Sequence, residues 1–438
     1  MSDRKPDLIA QTFKQLLLKY NTNAYRIAKE TGIDKTYLSK LSAGAIAKPG
    51  QDKLAKIAAA LDLDLEQLQQ VFSNPRLAIQ KLELEGIEIN SSPKEIASSL
   101  KSRQDWGNAP DGTICYHRQT EINRLKQTIG EQRCRISTIY GLDGMGKTTI
   151  AVEFAKQMAA EFDYLLWRTL GNVCLTEILV QDALKLFTQD VSELGIESQI
   201  TQLMQYLRHH RCLIVLDEVE TILATGSSLQ PYRNGCEAYK ELFKQIAQTQ
   251  HQSSVLLVSN EKPRDLAIWE SASAAIYSLQ IQGSEEVGYK ILQDKQIIYS
   301  SAWDELITAY RGHPLALKIV ATTIEELFNG DVIDFLRQNT LFLGDLQFLL
   351  YQQYQRLSEL EQQILTTFAQ IDRPLSFKEL IARYNNQLRC SQIIECLHSL
   401  GRRSLLDLLT SENLSSNQPS NFYSIHPVVR KYIQSQSY

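Results

Sequence analysis

No stretch of this 438-residue chain approaches the roughly 18 consecutive apolar residues that a membrane-spanning helix needs. Its first residues, Met1-Ser2-Asp3-Arg4-Lys5-Pro6-Asp7, lack the apolar core of a secretory leader. Paired cysteines are missing too. The seven cysteines (Cys115, Cys134, Cys174, Cys212, Cys236, Cys390, Cys396) are an odd number with no C-x-x-C pair. They read as free thiols in a reducing cytoplasm, which argues against a disulfide framework, a zinc site and a catalytic cysteine. An excess of charge is also absent, with a net charge of −4 and 22% charged residues, so any nucleic-acid signal must be local. No sequence repeat with a period of roughly 20–50 residues is visible. What the length does offer is room for about two to four domains, each able to bury its own core.

The stretch richest in chemistry is Gly141-Leu142-Asp143-Gly144-Met145-Gly146-Lys147-Thr148-Thr149. It follows the apolar run Ile136 to Tyr140 and leads into Ile150-Ala151-Val152-Glu153-Phe154-Ala155, which has a helical pattern. The spacing is G-x-x-x-x-G-K-[ST] in the strand–loop–helix setting that the motif requires. The glycines let backbone N–H groups turn inward around phosphate oxygens, and the helix N-terminus adds its positive end. Lys147 places a point charge on the β- and γ-phosphates, and the Thr148 hydroxyl completes a Mg²⁺ shell. A nucleoside di- or triphosphate is the expected ligand.

Earlier in the chain, Leu8, Ile9, Phe13, Leu16 and Leu17 recur at helical spacing. In Ala24 to Leu41, Ala28 and then Gly32 permit two short helices to cross at a tight turn, with Ile27, Ile33, Leu38 and Leu41 as shared core. Asp34 is the natural N-cap of the second helix. Leu54, Ile57, Ala58 and Leu61 continue the pattern after Pro49. This spacing resembles the helix-turn-helix of the phage-repressor (Xre/Cro) family. The resemblance makes Lys35, Thr36, Ser39 and Lys40 the residues that face double-stranded DNA. Local charge agrees, because residues 23–56 carry seven basic side chains against three acidic ones. Residues 76–112 read as a linker with turn chemistry at Ser91-Ser92-Pro93 and Gly107 to Gly112, and with short helices over 77–84 and 96–100.

Beyond the phosphate loop, Tyr164 to Trp167, Leu213 to Leu216 and Val255 to Val258 read as buried strands. The second ends in Asp217-Glu218, set 70 residues after Lys147. Asp217 suits Mg²⁺ and Glu218 suits the polarisation of an attacking water, which makes these two the candidate catalytic residues. The third ends in Ser259-Asn260, where a sensor of the terminal phosphate belongs. In this order the motifs, from Ile114 to the C-terminus, resemble the NB-ARC branch of the STAND nucleotide switches, bacterial members above all. Ile114-Cys115-Tyr116-His117-Arg118 stands where the family has its adenine-contacting h-h-G-R element, with His in place of Gly. Asn260 replaces the family's sensor arginine, and Arg264 is the candidate substitute. Gly312-His313-Pro314-Leu315-Ala316-Leu317 matches G-x-P-L-A-L. The resemblance therefore implies that Tyr116, Arg118 and Pro314 hold the base. Ile425-His426-Pro427 stands at the M-H-D position, which implies that His426 reads the β-phosphate of ADP. Pro427, replacing the Asp, is suited to the first turn of the next helix.

The fold expected is multidomain. It comprises an all-α helix-turn-helix domain (1–75), the linker (76–112), an α/β P-loop NTPase domain with a parallel sheet (113–280), an α-helical ARC1 domain (281–345) and a winged-helix ARC2 domain (346–438). The function expected is an ADP/ATP-binding switch with Mg²⁺, slow ATP hydrolysis that resets it, and a DNA-binding output in transcription regulation. The alternative is a signalling or defence scaffold that self-associates on ATP and uses its N-terminal domain for protein contacts. Relatives of this type continue into repeats that sense a stimulus, so the expectation is either a separate sensor protein as partner or an N-terminal domain that is both input and output.

Overall fold

The computed structural model describes residues 13, 27–28, 31–42, 46, 49–61, 68, 103–111, 114–171, 175–187, 195–226, 230–270, 274–338, 341–384, 387–409 and 421–436. They fall in two compact units, Met1–Leu100 and Lys101–Tyr438.

In the first unit, helix α1 (Lys35–Ser42) and helix α2 (Gln51–Ala60) share one small core. Asp34 caps α1 as its sequence position suggests, its carboxylate accepting from the Thr36 amide at 2.7 Å. The Thr36 hydroxyl bonds the same carboxylate and holds it below the usual Asp range. Ile27, Ile33, Leu38, Leu41, Leu54, Ile57, Ala58 and Leu61 are all buried, together with Phe13 and Leu68. Complete burial of Leu38 and Leu41 is worth about 2 kcal/mol each. Among the described residues a Cβ on Gly32 would meet nothing within 4 Å, and the left-handed φ of +67° at this glycine ends the preceding turn. The Lys53 ammonium lies 3.6 Å from the Tyr37 ring centroid and ties α2 to α1. Thr36 and Lys40 are exposed on α1, while the side chains of Lys35 and Ser39 lie outside the described residues. So do the helices expected over 77–84 and 96–100, and all but Phe13 of the first helical run.

The second unit is built on a six-stranded parallel sheet in the order β1-β3-β4-β5-β2-β6. The strands are β1 (Arg103–Asp105), β2 (Ile136–Tyr140), β3 (Tyr164–Thr169), β4 (Cys212–Asp217), β5 (Ser254–Ser259) and β6 (Ile276–Gln280). Every residue of β4 and β5 is buried, as a parallel sheet covered on both faces requires. Helix α3 (Gln119–Leu125) and helix α4 (Lys147–Met158) cover one face with Ile122, Ile150 and Phe154. Helices α5 (Thr176–Phe187), α6 (Ile196–His209) and α7 (Ala238–Gln248) cover the other with Leu184, Leu203 and Phe243. Strand residues alternate between the two cores, Leu256 and Val258 facing one and Val255 and Leu257 the other.

The sequence reading placed residues 103–111 in the linker, and the structure corrects this. Arg103, Gln104 and Asp105 pair in register with Tyr164, Leu165 and Leu166 and form the sheet edge. Arg168 fixes the strand by bonding Asp105 at 2.6 Å. An edge strand this short and polar carries no apolar pattern for a sequence to display.

After α8 (Arg264–Glu270) come helices α9 (Glu285–Asp294), α10 (Ala302–Ala309), α11 (Pro314–Phe328), α12 (Val332–Arg337), α13 (Leu346–Gln355) and α14 (Glu359–Gln370). A second sheet of three antiparallel strands follows, in the order β7-β9-β8, from β7 (Leu375–Ser376), β8 (Asp407–Leu409) and β9 (Phe422–Ser424). At two or three residues each, these strands are too short to show alternation in the sequence. Helices α15 (Phe377–Tyr384), α16 (Cys390–Arg402) and α17 (Pro427–Ser435) pack with it. The α4-side core runs on without a break through Leu317, Ile324 and Leu350 to Val428 and Tyr432. The six cysteines among the described residues form no disulfide, and Cys174 lies outside them. No helix among the described residues is long and apolar enough to cross a membrane.

Candidate functional site

The sheet order decides where chemistry collects. Strand β5 lies between β2, which delivers the phosphate loop, and β4, which delivers Asp217. The loop, the carboxylate and Asn260 therefore meet beyond the carboxyl ends of three adjacent strands, where open α/β sheets bind ligands. A cavity of about 1030 Å³ lies there, lined by Asp143 to Thr149, Asp217, Glu218 and Asn260, with Tyr116, Arg118 and Pro314 at its other wall. The predicted phosphate, metal and base residues are thus gathered in one cleft, except Gly141, His426 and Arg264.

Lys147 starts α4 buried, its ammonium donating to the Leu142 carbonyl at 3.0 Å and standing 3.8 Å from the Asp143 carboxylate. The Thr148 hydroxyl donates to Asp217 Oδ1 at 3.2 Å, and the Glu218 amide donates to the same oxygen at 3.0 Å. Burial raises the Asp217 carboxyl to about 6, against the pull of those two hydrogen bonds. A hydroxyl and a carboxylate at this distance are the donor set that Mg²⁺ takes alongside phosphate oxygens. The residues present fit a nucleotide with Mg²⁺. Glu218 sits at a left-handed φ of 57°, which turns its side chain into the cleft beside Gly171.

Gly144 is where the loop meets the rest of the protein. Its carbonyl accepts from the Leu315 amide at 3.2 Å, and a Cβ on it would come within 2.8 Å of His313. The first turn of α11 therefore rests directly on the phosphate loop. His313 caps α11 with Nδ1, and Pro314 occupies the first turn. Helix α17 repeats the device. His426 Nδ1 accepts from Val428, and Pro427 fills the first turn as its sequence position suggested. The two imidazoles pack edge to face, 5.6 Å apart. Because each Nδ1 accepts an N–H, each neutral ring carries its proton on Nε2. Burial pushes His313 down to about 4 and His426 well below the ordinary value.

Three expectations change here. His426 does not line the phosphate cavity; it lines a second cavity of about 560 Å³ with Leu142, Met145 and Arg311, and it reaches the loop through His313. Arg118 is buried, and its guanidinium is committed to Glu121 and to the carbonyls of Met145 and Gln282. It braces the loop against β6, so the aromatic contact at this wall comes from Tyr116, which has the Lys318 ammonium 5.4 Å from its ring centroid. The left-handed turn that a glycine would make here is made by His117, at φ 44°. Arg264 opens α8 and is not among the cavity-lining residues, whereas Arg233 and Arg356 are.

Sequence reasoning missed Arg356, Glu220 and Glu261. Glu220 is half-buried, and it accepts from the Ser259 hydroxyl and the Asn260 amide, both at 3.0 Å. Glu261 is bonded by Arg356 at 2.5 Å and Arg403 at 2.9 Å, and Arg403 also approaches Glu361 at 3.7 Å. The amide of Lys262 donates to Arg402, and that of Gly226 to Arg356. The end of the β5 strand is thereby fastened to α13 and α16 by buried charge. Only the acidic residue next to Asn260 could have hinted at this.

Residues 118–237 match the NB-ARC domain family, and residues 13–68 match a helix-turn-helix family. The chain carries an NB-ARC domain. It is 35% identical over 360 residues to an uncharacterized WD repeat-containing protein of Nostoc sp., covering 78% of this chain and 28% of that protein. It is also 28% identical over 109 residues to an uncharacterized protein of Mycobacterium tuberculosis, covering 24% of this chain and 26% of that one. The chain thus spans just over a quarter of the length of these relatives. Among solved structures, a STAND protein with a tetratricopeptide repeat sensor from Pyrococcus horikoshii aligns at 16% identity and TM-score 0.38. That alignment covers 76% of this chain and 44% of the other. Cdc6p from Pyrobaculum aerophilum aligns at 13% identity and TM-score 0.36, covering 75% and 97%. The NB-ARC match begins at Arg118, the residue that braces the phosphate loop, and runs past Asp217 and Glu218.

Proposed function

We propose that this chain is a switch controlled by an adenine nucleotide, with the N-terminal helix-turn-helix as its DNA-binding output. The observation that carries the reading is the hydrogen bond from the Leu315 amide to the Gly144 carbonyl. Through it the phosphate loop is fastened to a helix whose core is continuous with the C-terminal segments. A ligand in the loop then bears on the packing of those segments. In this reading residues 281–345 and 346–438 are the ARC1 and winged-helix ARC2 segments, which close over the nucleotide.

Bound Mg²⁺–nucleotide supplies negative phosphate charge and, as a triphosphate, a cleavable phosphoanhydride. Lys147 and the loop amides hold the phosphates, while Thr148 and Asp217 hold the metal. Tyr116 and Pro314 wall the base, and Glu218 orients a water for slow hydrolysis. His313, with His426 behind it, carries the state of the loop to α17. Thr36 and Lys40, with Lys35 and Ser39 on the same helix, meet the duplex.

The test has two parts. Limited proteolysis of the full chain with ADP and with a slowly hydrolysed ATP analogue should give different cleavage patterns. Duplex binding by the full chain should weaken linearly with log salt, and a Lys35→Ala/Lys40→Ala variant should lower that slope by about 2. Identical proteolysis in both states removes the switch. Duplex binding without salt dependence removes the DNA output and favours a scaffold that contacts protein.

A further inference from the structure

The phosphate loop of this chain contains an acid. Asp143 lies between the two groups that a terminal phosphate would use. Its carboxylate stands 3.8 Å from the Lys147 ammonium on one side. On the other it accepts from the Asn260 side-chain amide at 3.0 Å, from a residue 117 positions away in the chain. Asp143 is 18% exposed at the side chain and lines the cavity. Glu218 and Glu220 line the same cavity, while Arg356 and Arg233 add positive charge to its wall.

We infer that Asp143 is a built-in competitor for the terminal phosphate, and that it sets this site's preference for a nucleoside diphosphate over a triphosphate. The physical reasoning is local. A diphosphate reaches Lys147 from the loop and leaves the Asp143–Asn260 bond in place. A third phosphate extends toward the end of β5, where Asn260 already has a carboxylate as its partner. To bind there it must displace Asp143 from both Lys147 and Asn260, or lie beside a second anion in a buried cleft. Either course penalises the triphosphate selectively, because like charges a few ångströms apart in a partly desolvated site repel strongly. The activating step is then the outward turn of the Asp143 side chain. Asn260 has the role of holding that side chain in until a phosphate replaces it.

This inference rests on the nucleotide-switch reading, and the experiment separates the two. ADP and a slowly hydrolysed ATP analogue are titrated calorimetrically, with Mg²⁺, into the full-length chain and into Asp143→Asn and Asp143→Ala variants. Asp143→Asn keeps the size and an acceptor for Asn260 but removes the charge. The expected result is an ATP-to-ADP affinity ratio raised by at least about tenfold in both variants. An unchanged ratio, or equal losses for both nucleotides, overturns the inference while leaving the switch reading intact. A wild-type chain that binds neither nucleotide overturns both. Asn260→Ala, which frees the Asp143 carboxylate on one side, should move the ratio in the same direction; a fall in the ratio would also overturn the inference.

Discussion

Replacing Glu261 with alanine leaves two arginines without their main partner. In the native protein the Glu261 side chain is 9% exposed, and those of Arg356 and Arg403 are 15% and 8% exposed. Removing one member of a buried ion pair costs roughly 3–5 kcal/mol, most of it from the charge left behind. Both arginines keep a second acceptor, Arg403 in Glu361 at 3.7 Å and Arg356 in the Leu223 carbonyl at 3.5 Å. These remaining contacts, long as they are, offset part of the charge left behind, so the expected loss sits at the lower end, about 3 kcal/mol. Because Glu261 fastens β5 to α13 and α16, the loss falls on the closed arrangement. Release of a fluorescent ADP analogue should therefore accelerate on the order of a hundredfold, since about 1.4 kcal/mol is a factor of ten. The unfolding temperature should fall by about 5 °C in a unit of this size. Glu261→Gln should give a smaller effect of the same sign. A Glu261→Ala variant with wild-type release, and a loss below about 0.5 kcal/mol as for an exposed pair, would refute the clamp.

Other perturbations test neighbouring parts of the account. Gly144→Ala puts a Cβ 2.7 Å from Leu315 at a φ of +80°, so it should cost about 1–3 kcal/mol and speed ADP release without altering secondary structure. Far-UV circular dichroism and stopped-flow release check it. His426→Ala should also speed ADP release, through loss of the contact with His313. His313 and His426 are held below the free imidazole value by burial, as is His251. A lowered histidine pKa contributes stability that is present above the unfolded value near 6.5 and lost as pH falls toward the folded one. The unfolding temperature should thus decline between about pH 6.5 and 4. A His313→Asn/His426→Asn variant, which keeps an N-cap acceptor on each helix, should flatten most of that slope.

What the sequence made legible was what lies close together in the chain. The phosphate loop spans nine residues, and its junction with its own helix follows from spacing. The apolar face of α2, with Leu54, Ile57 and Ala58, is visible as a period and is buried as expected. Asp217 could be placed because a buried strand followed by an acid is itself a local pattern. The partners that set charge at the site are a different matter. Arg356 lies 95 positions from Glu261, and Asn260 lies 117 from Asp143. No periodicity announces such pairs, and an arginine four residues after Asn260 was the nearest guess available. The strand Arg103–Asp105 escaped for a related reason, because its stability comes from backbone pairing with β3 and from Arg168, and its own side chains are polar. Base-side residues were named by resemblance, and there Arg118 turned out to brace the loop with its side chain fully engaged.

The most direct test of the account is calorimetric titration of ADP with Mg²⁺ into the full-length chain, purified free of nucleotide, beside a Lys147→Ala variant. The account predicts one ADP bound per wild-type chain and none by Lys147→Ala at the same concentrations. No ADP binding by the wild-type chain, or equal binding by the variant, would contradict it.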